Sequence, residues 1–398
     1  MKGIFCHDLP IYRDVNGCYC STTLNNSLFS RYFRVVDELV VAERVYPIRT
    51  TYEDAHQEKI DLPGLSVLEL PNLNTHKALF SDFAKARRLL KQALAEADLV
   101  IIRGGMIAII AAGLCIQMNK PYLIELGGCA WDAYWNHGLA GKIIAPYMEY
   151  KFRKYTYCAA FAIYVTQDWL QKRYPCKGIS VGVSDVYFTD FNESILESRL
   201  EKIRARDKYE PVVVGTTAAV NVRYKGQQYI IKAISNLKAR GFNFRYELVG
   251  GGDYSYLLNL AEKYGVRDLV IFKGELTHSE VLDWLSTIDI YAQPSKIEGL
   301  PRALIEAMSR ACPAIGTKIA GIPELLEENE MFAKGDIAGI ERALLQIVGH
   351  MSIAACRNFE KVRMYDVIIT DEKRNRILDD YAKFVSHKAS SDFVRTDP

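Results

Sequence analysis

A chain of 398 residues exceeds what one hydrophobic core ordinarily organises, so two domains are expected. Hydrophobic residues at 49% and charged residues at 25% match a soluble globular protein and exclude a disordered or fibrous one. A net charge of +2 supplies no general attraction for nucleic acid, and no such partner is expected.

The amino terminus, Met1-Lys-Gly-Ile-Phe-Cys-His-Asp8, turns polar before the apolar core of a signal peptide could form. The most apolar stretch, Gly104 to Met118, is shorter than the roughly 20 residues that span a bilayer and reads as a buried helix. A cytoplasmic protein is the expectation. The nine cysteines are scattered; Cys18 and Cys20 have no second pair to complete a metal site, and reduced thiols are expected.

In chain order, β-rich runs cover Gly3–Cys6, Leu65–Leu70, Leu99–Arg103, Tyr122–Glu125 and Phe161–Thr166, with a helical pattern over Ser81–Ala97. A turn-rich, then charged segment lies between Tyr174 and Glu210, its run Glu197–Arg206 reading as a solvated helix face. Beyond it, strands are expected at Pro211–Gly215, Arg245–Val249, Leu269–Phe272, Ile288–Ala292 and Pro313–Gly316. The helical patterns between and after them are Gln227–Arg240, Tyr254–Tyr264, Ser279–Ser286, Arg302–Ala311 and Ile337–His350. Such alternation predicts an α/β protein with parallel sheets and helices on both faces.

Ligands of doubly wound sheets sit at the carboxyl ends of the strands, which directs attention to four loops. Val249-Gly-Gly-Gly-Asp253 brings backbone amides and a helix N-terminus to a strand end, suiting either a phosphate or close packing. Arg223-Tyr-Lys225-Gly226 carries two cations that either neutralise a diphosphate or form an ordinary exposed turn. Pro294-Ser-Lys-Ile-Glu-Gly-Leu-Pro301 places Glu298 in a loop and Glu306 about one and a half turns into the helix that Pro301 opens. One carboxylate can then face a sugar ring while the other accepts hydrogen bonds from a ribose, although two acids eight apart also arise often by chance. Thr317-Lys-Ile-Ala-Gly-Ile-Pro-Glu324 is a tight turn able to cap a base or ribose, or simply to reverse the chain.

In their order and spacing these loops, from about Gly215 to Leu326, resemble the family 4 glycosyltransferases, retaining enzymes of the GT-B fold. The resemblance implies two doubly wound Rossmann-like domains facing across a cleft. Residues 1–190 would bind the acceptor, residues 208–372 the nucleotide-sugar donor, and a helix over 373–398 would pack back on the first domain. It implies that Glu306 binds the ribose, that Glu298 lies against the donor sugar, and that Gly299 and Leu300 offer amides to sugar or phosphate. Lys225 matches the lysine that binds the diphosphate, and Gly250 and Gly251 match the neighbouring glycine turn. Arg223 departs from the pattern, standing two residues before the lysine rather than several. The catalytic set so implied is Glu298, Lys225, Arg223 and a histidine. The family's histidine is absent after the strand Tyr122–Glu125, leaving His137 or His7 as candidates.

On the acceptor side the candidates are Asn16, Gly17, Glu125 and Asp132. The co-substrate would be a UDP- or GDP-sugar, with no other cofactor; no Asp-x-Asp occurs in the chain, so metal-independent transfer is expected. The acceptor would be a saccharide or lipid-linked saccharide in surface-polysaccharide assembly. Between Lys142 and Lys154, basic residues mix with Tyr147, Tyr150 and Phe152, as in either a peripheral membrane contact or an ordinary surface helix. Three other readings are a Rossmann dinucleotide enzyme using Gly250-x-Gly252, a nucleotide-sugar epimerase and a non-catalytic GT-B partner subunit.

Overall fold

The structure, a computed structural model, describes residues 1–73, 81–136, 138–186, 188 and 191–394. Two compact units divide the chain: Met1–Val183 with Asp371–Pro398, and Ser184–Thr370.

The first unit is built on nine strands among the described residues: β1 (Lys2–Cys6), β2 (Ile11–Arg13), β3 (Tyr19–Cys20), β4 (Glu38–Pro47), β5 (Leu65–Leu70), β6 (Leu99–Ile102), β7 (Leu123–Leu126), β8 (Phe161–Tyr164) and β9 (Ile179–Gly182). Its parallel neighbours run β5-β4-β1-β6-β7-β8-β9, and the antiparallel pair β2–β3 joins the far end of β4. Strands β6, β7 and β8 are buried at every residue; β6 and β8 accordingly read as unbroken apolar runs, and β7 carries Glu125 within its own. Helix Gly105–Gln117 is buried as its composition predicts.

Strand β4 escapes the sequence pattern because Glu43 and Arg44 interrupt its apolar run, Leu-Val-Val-Ala, at positions the fold nonetheless buries or half-buries. The carboxyl-terminal helix, Val367–Val394, packs its later turns on this sheet. Tyr381 is buried; its hydroxyl donates to the Val100 carbonyl (3.0 Å) and accepts from the Val100 amide (3.0 Å). Arg34 grips Asp379 through Nε (2.8 Å) and Nη2 (2.7 Å).

The second unit holds a sheet of six parallel strands among the described residues: β10 (Val212–Thr217), β11 (Phe244–Val249), β12 (Val270–Gly274), β13 (Ile290–Gln293), β14 (Ala314–Thr317) and β15 (Met331–Phe332). Their spatial order, β12-β11-β10-β13-β14-β15, is the doubly wound arrangement that reverses direction between β10 and β13. Helices Gln227–Ala239 and Ile337–Val348 bury Ile230, Ile234, Ile340 and Leu344 in the core beside β10 and β11. The charged run Glu197–Arg206 exposes Glu197, Glu201 and Arg204, as a solvated face does, with one exception. Within helix Glu193–Ala205, Arg199 is buried and donates to the carbonyls of Leu285 (2.7 Å), Ile288 (2.6 Å) and Arg310 (3.2 Å). A long, multiply donating guanidinium satisfies carbonyls left open at two helix ends, which periodicity does not reveal.

Candidate active site

The strand order reverses between β10 and β13, where doubly wound sheets place their ligands, and a loop leaves the carboxyl end of each. The first leaves β10 and closes in a 3-10 turn, Arg223–Lys225, followed by Gly226 at φ 83°. A side chain at Gly226 would be strained in that left-handed conformation, and its Cβ would fall 2.0 Å from the Pro294 carbonyl oxygen. The second loop leaves β13, and its Lys296 amide donates to the Tyr224 carbonyl (2.8 Å). The two loops thus touch backbone to backbone, and Gly226 is what permits it.

Across that contact Lys225 Nζ lies 3.0 Å from Glu298 Oε1, with both side chains largely shielded from water. Gln293, buried at the end of β13, positions the same carboxylate. Its Nε2 donates to Glu298 Oε1 (2.9 Å) and Ser295 Oγ (3.0 Å), while its Oε1 accepts from the Tyr291 hydroxyl (2.9 Å). Gly299 and Leu300 follow, and among the described residues neither amide has a protein acceptor. The Gly299 carbonyl takes the Gly321 amide (2.8 Å), tying in the loop after β14.

Pro301 caps helix Arg302–Ser309 from the position just before it, rather than from its first turn. Half-buried Glu306 lies on this helix. Burial raises its carboxyl above the usual range, with His278 and Arg302 pulling the other way. Burial also pushes the Tyr291 hydroxyl up, and the negative fields of Glu306 and Glu298 add to it, so both acids surround the end of β13.

Three other residues singled out in sequence, Arg223, Gly250 and Gly251, have contacts of their own. Arg223 lies with its guanidinium carbon 4.4 Å from the centre of the Tyr256 ring, a cation–π contact made from the turn that also carries Lys225. In the glycine turn after β11, the Gly250 amide is taken by the Gly274 carbonyl (2.8 Å), and the Gly251 carbonyl by the Val220 amide (3.1 Å). Asp253 Oδ1 accepts the Ser255 amide (2.9 Å) at the head of helix Ser255–Lys263. A Cβ at Gly250 would fall 2.2 Å from the Ala218 carbonyl oxygen, so this glycine lets its turn approach the loop after β10.

In the first unit the order reverses between β1 and β6, and a cavity of about 900 Å³ opens there. His7 and Asp8 enter it from β1, Arg44 from β4, Arg103 from β6 and Glu125 from β7. Asp8 Oδ1 lies 2.5 Å from Arg44 Nε, and Asp8 Oδ2 accepts the Met106 amide (2.8 Å). Burial raises the Asp8 carboxyl, opposed by Arg44 and the amides of Met106 and Ile107. Gly105, at φ 84°, leaves room for it, because a Cβ there would sit 2.1 Å from that of Asp8. Glu125 accepts from the Tyr32 hydroxyl (2.9 Å) and lies 3.7 Å from Arg103. Tyr134 and Phe152 add aromatic walls.

Of the acceptor-side residues named from sequence, Glu125 lines this cavity. Asn16 and Gly17 instead form the exposed tip between β2 and β3, where Asp14 Oδ1 accepts the Asn16 amide (2.9 Å) and the Cys18 amide (2.8 Å). Asp132 lies on helix Ala130–Trp135, outside the cavity lining. His137 lies outside the described residues.

Residues 200–350 match the family described as glycosyl transferases group 1. They are a group 1 glycosyltransferase domain. Protein CapJ of Staphylococcus aureus is 29% identical over 398 residues, spanning 97% of this chain and 97% of CapJ. The amylovoran biosynthesis glycosyltransferase AmsK of Erwinia amylovora is 30% identical over 163 residues, 38% of this chain and 40% of AmsK. Among solved structures, Anabaena HepE in complex with UDP aligns at TM-score 0.61 and 15% identity, over 96% of this chain and 100% of HepE. The fold is GT-B. The group 1 domain contains Lys225, Glu298, Glu306 and Gln293; the cavity of the first unit lies outside it.

Sequence reasoning missed Gln293, Asp8, Arg44 and Arg103 as site residues. Their shared signal is a polar or charged residue within three positions of the end of a buried parallel strand.

Proposed function

We propose that this chain is a retaining hexosyltransferase, similar to family 4 enzymes, that moves a sugar from a UDP- or GDP-sugar to a hydroxyl of a saccharide or lipid-linked saccharide. The observation that carries this reading is the Lys225–Glu298 pair, 3.0 Å apart at the strand-order reversal beside the unpaired Gly299 and Leu300 amides. A departing diphosphate needs positive charge and donors fixed in advance, worth ~3–4 kcal/mol per donor in comparable sites. Lys225 and these amides would supply them. Glu298 would hold the ammonium in place before the donor arrives and meet sugar hydroxyls afterwards. Glu306 would take the ribose hydroxyls.

The acceptor would occupy the cavity of the first unit. There Asp8 faces Arg44 and Glu125 faces Arg103, so the charges offset one another and favour a hydroxyl-rich, uncharged saccharide. Retention would follow if the acceptor hydroxyl attacks from the face the diphosphate leaves, with diphosphate oxygen taking the proton. No protein nucleophile is required. The chain lacks an Asp-x-Asp, which supports turnover without a metal ion. AmsK is named for amylovoran biosynthesis, and we place this chain in polysaccharide assembly too, at the cytoplasmic face of a membrane.

The test is incubation with UDP- and GDP-sugars and saccharide acceptors, with the product's anomeric configuration read by NMR in the presence and absence of EDTA. A retained anomer formed equally under chelation is expected. An inverted product, or activity lost to EDTA and restored by magnesium or manganese, would refute the mechanism.

A further inference from the structure

Helix Gly138–Cys158 carries an outer face that its own packing leaves open. Leu139 and Ile143 are 81% and 82% exposed, and Tyr147, Tyr150 and Tyr157 are 49%, 60% and 53% exposed. Their spacing of four, four, three and seven residues places all five on one stripe of the helix. Gly141, Ala145, Met148, Tyr155 and Thr156, on the opposite side, are buried. Single exposed apolar side chains are ordinary, but five in register are not.

The charge on this face has one sign. Lys142, Arg153 and Lys154 are exposed, and Lys151 lies 5.3 Å from the centre of the Tyr147 ring. The helix's one acid, Glu149, is turned away: it pairs with Arg173 (2.9 Å) and accepts from the Tyr174 hydroxyl (2.5 Å). Just before the helix, exposed Trp135 lies beneath the Lys142 ammonium, 5.8 Å from its ring centre.

From these observations we infer that the stripe is a docking face for an anionic lipid surface, with Leu139 and Ile143 entering the acyl boundary. The tyrosines sit at headgroup depth and the cations meet lipid phosphates. A second copy of this chain fits less well, because face-to-face docking would set four cations against four. The same helix also reaches the acceptor cavity, which Phe152 lines from the opposite side. Its use in presenting a lipid-linked acceptor to that cavity rests on the function proposed above; the docking face itself does not.

The test is flotation of the full chain with phosphatidylcholine vesicles, with and without phosphatidylglycerol. Binding to the anionic vesicles alone, weakened by salt, is expected. Lys142→Gln with Lys154→Gln should reduce it about thirtyfold. Leu139→Ser with Ile143→Ser should abolish it, with UDP-induced thermal shift and circular dichroism unchanged. Equal binding to neutral vesicles would overturn the electrostatic part, and undiminished binding of the serine variant would overturn the assignment of the face. A dimer in sedimentation that the serine variant dissolves, without vesicle binding, would give the face to a second copy. Vesicle binding without transfer to a lipid-linked acceptor would uphold the face and remove the acceptor reading alone.

Discussion

Replacing Glu43 with glutamine removes a carboxyl that β4 carries into the core with 0% of its surface exposed. Among the described residues neither of its oxygens finds a hydrogen-bond partner of good geometry. Burial raises this carboxyl well above its usual value of 4.5; the charge of Asp8 adds to the shift, and Arg44 with the amides of Arg44 and Leu9 opposes it. The unfolded chain therefore loses the proton first. Folding takes a proton up, so stability is fullest below the unfolded value and falls as pH rises toward the folded one. While the folded carboxyl keeps its proton, the loss is about 1.4 kcal/mol per pH unit above the unfolded value. At roughly 2–4 °C per kcal/mol for a unit of this size, that is about 3–6 °C of melting temperature per pH unit. Glutamine keeps the shape and has no proton to release. Its melting temperature should exceed that of the wild type by a margin that widens at this rate as pH rises from the unfolded value toward the folded one. Scanning fluorimetry of both proteins at several pH values measures it. The raised Glu306 carboxyl is common to both and cancels. A margin that stays constant with pH would show that Glu43 ionises as freely in the fold as outside it, and would refute the reasoning.

Glu306→Ala should weaken UDP binding about tenfold or more, the loss of hydrogen bonds to a charged acceptor, read by calorimetry. Glu298→Ala should leave UDP binding within a few-fold and lower kcat about a hundredfold. Equal, wild-type behaviour of both would remove the donor-site assignment. Gly226→Ala forces a Cβ to within 2.0 Å of the Pro294 carbonyl at a left-handed φ, so the two loops must part. It should abolish the UDP-induced thermal shift while the far-ultraviolet circular dichroism spectrum stays that of the wild type; a preserved shift would show that the loop contact is dispensable.

The parallel sheets were legible because their central strands are buried on both faces, and burial on both faces writes itself as an uninterrupted apolar run, as in Leu99–Ile102. Strand β4 was not legible, for the reason that makes it interesting: it spends two central positions on Glu43 and Arg44. Local pattern weighs each residue against its neighbours in the chain, whereas Arg44 is justified by Asp8, on another strand's exit loop. The donor side follows the same rule in reverse. Glu298 and Lys225 drew attention because each stands near a strand end, and the structure adds what spacing cannot hold, a 3.0 Å contact across 73 residues with buried Gln293 behind it. Asn16 and Gly17 show the limit of the rule: their turn chemistry is real, but Asp14 uses their segment to close a hairpin. A polar turn joining antiparallel strands closes on itself. The polar loops at the reversal of a parallel sheet meet one another instead, and in both units that is where opposed charges, Asp8 with Arg44 and Lys225 with Glu298, come together.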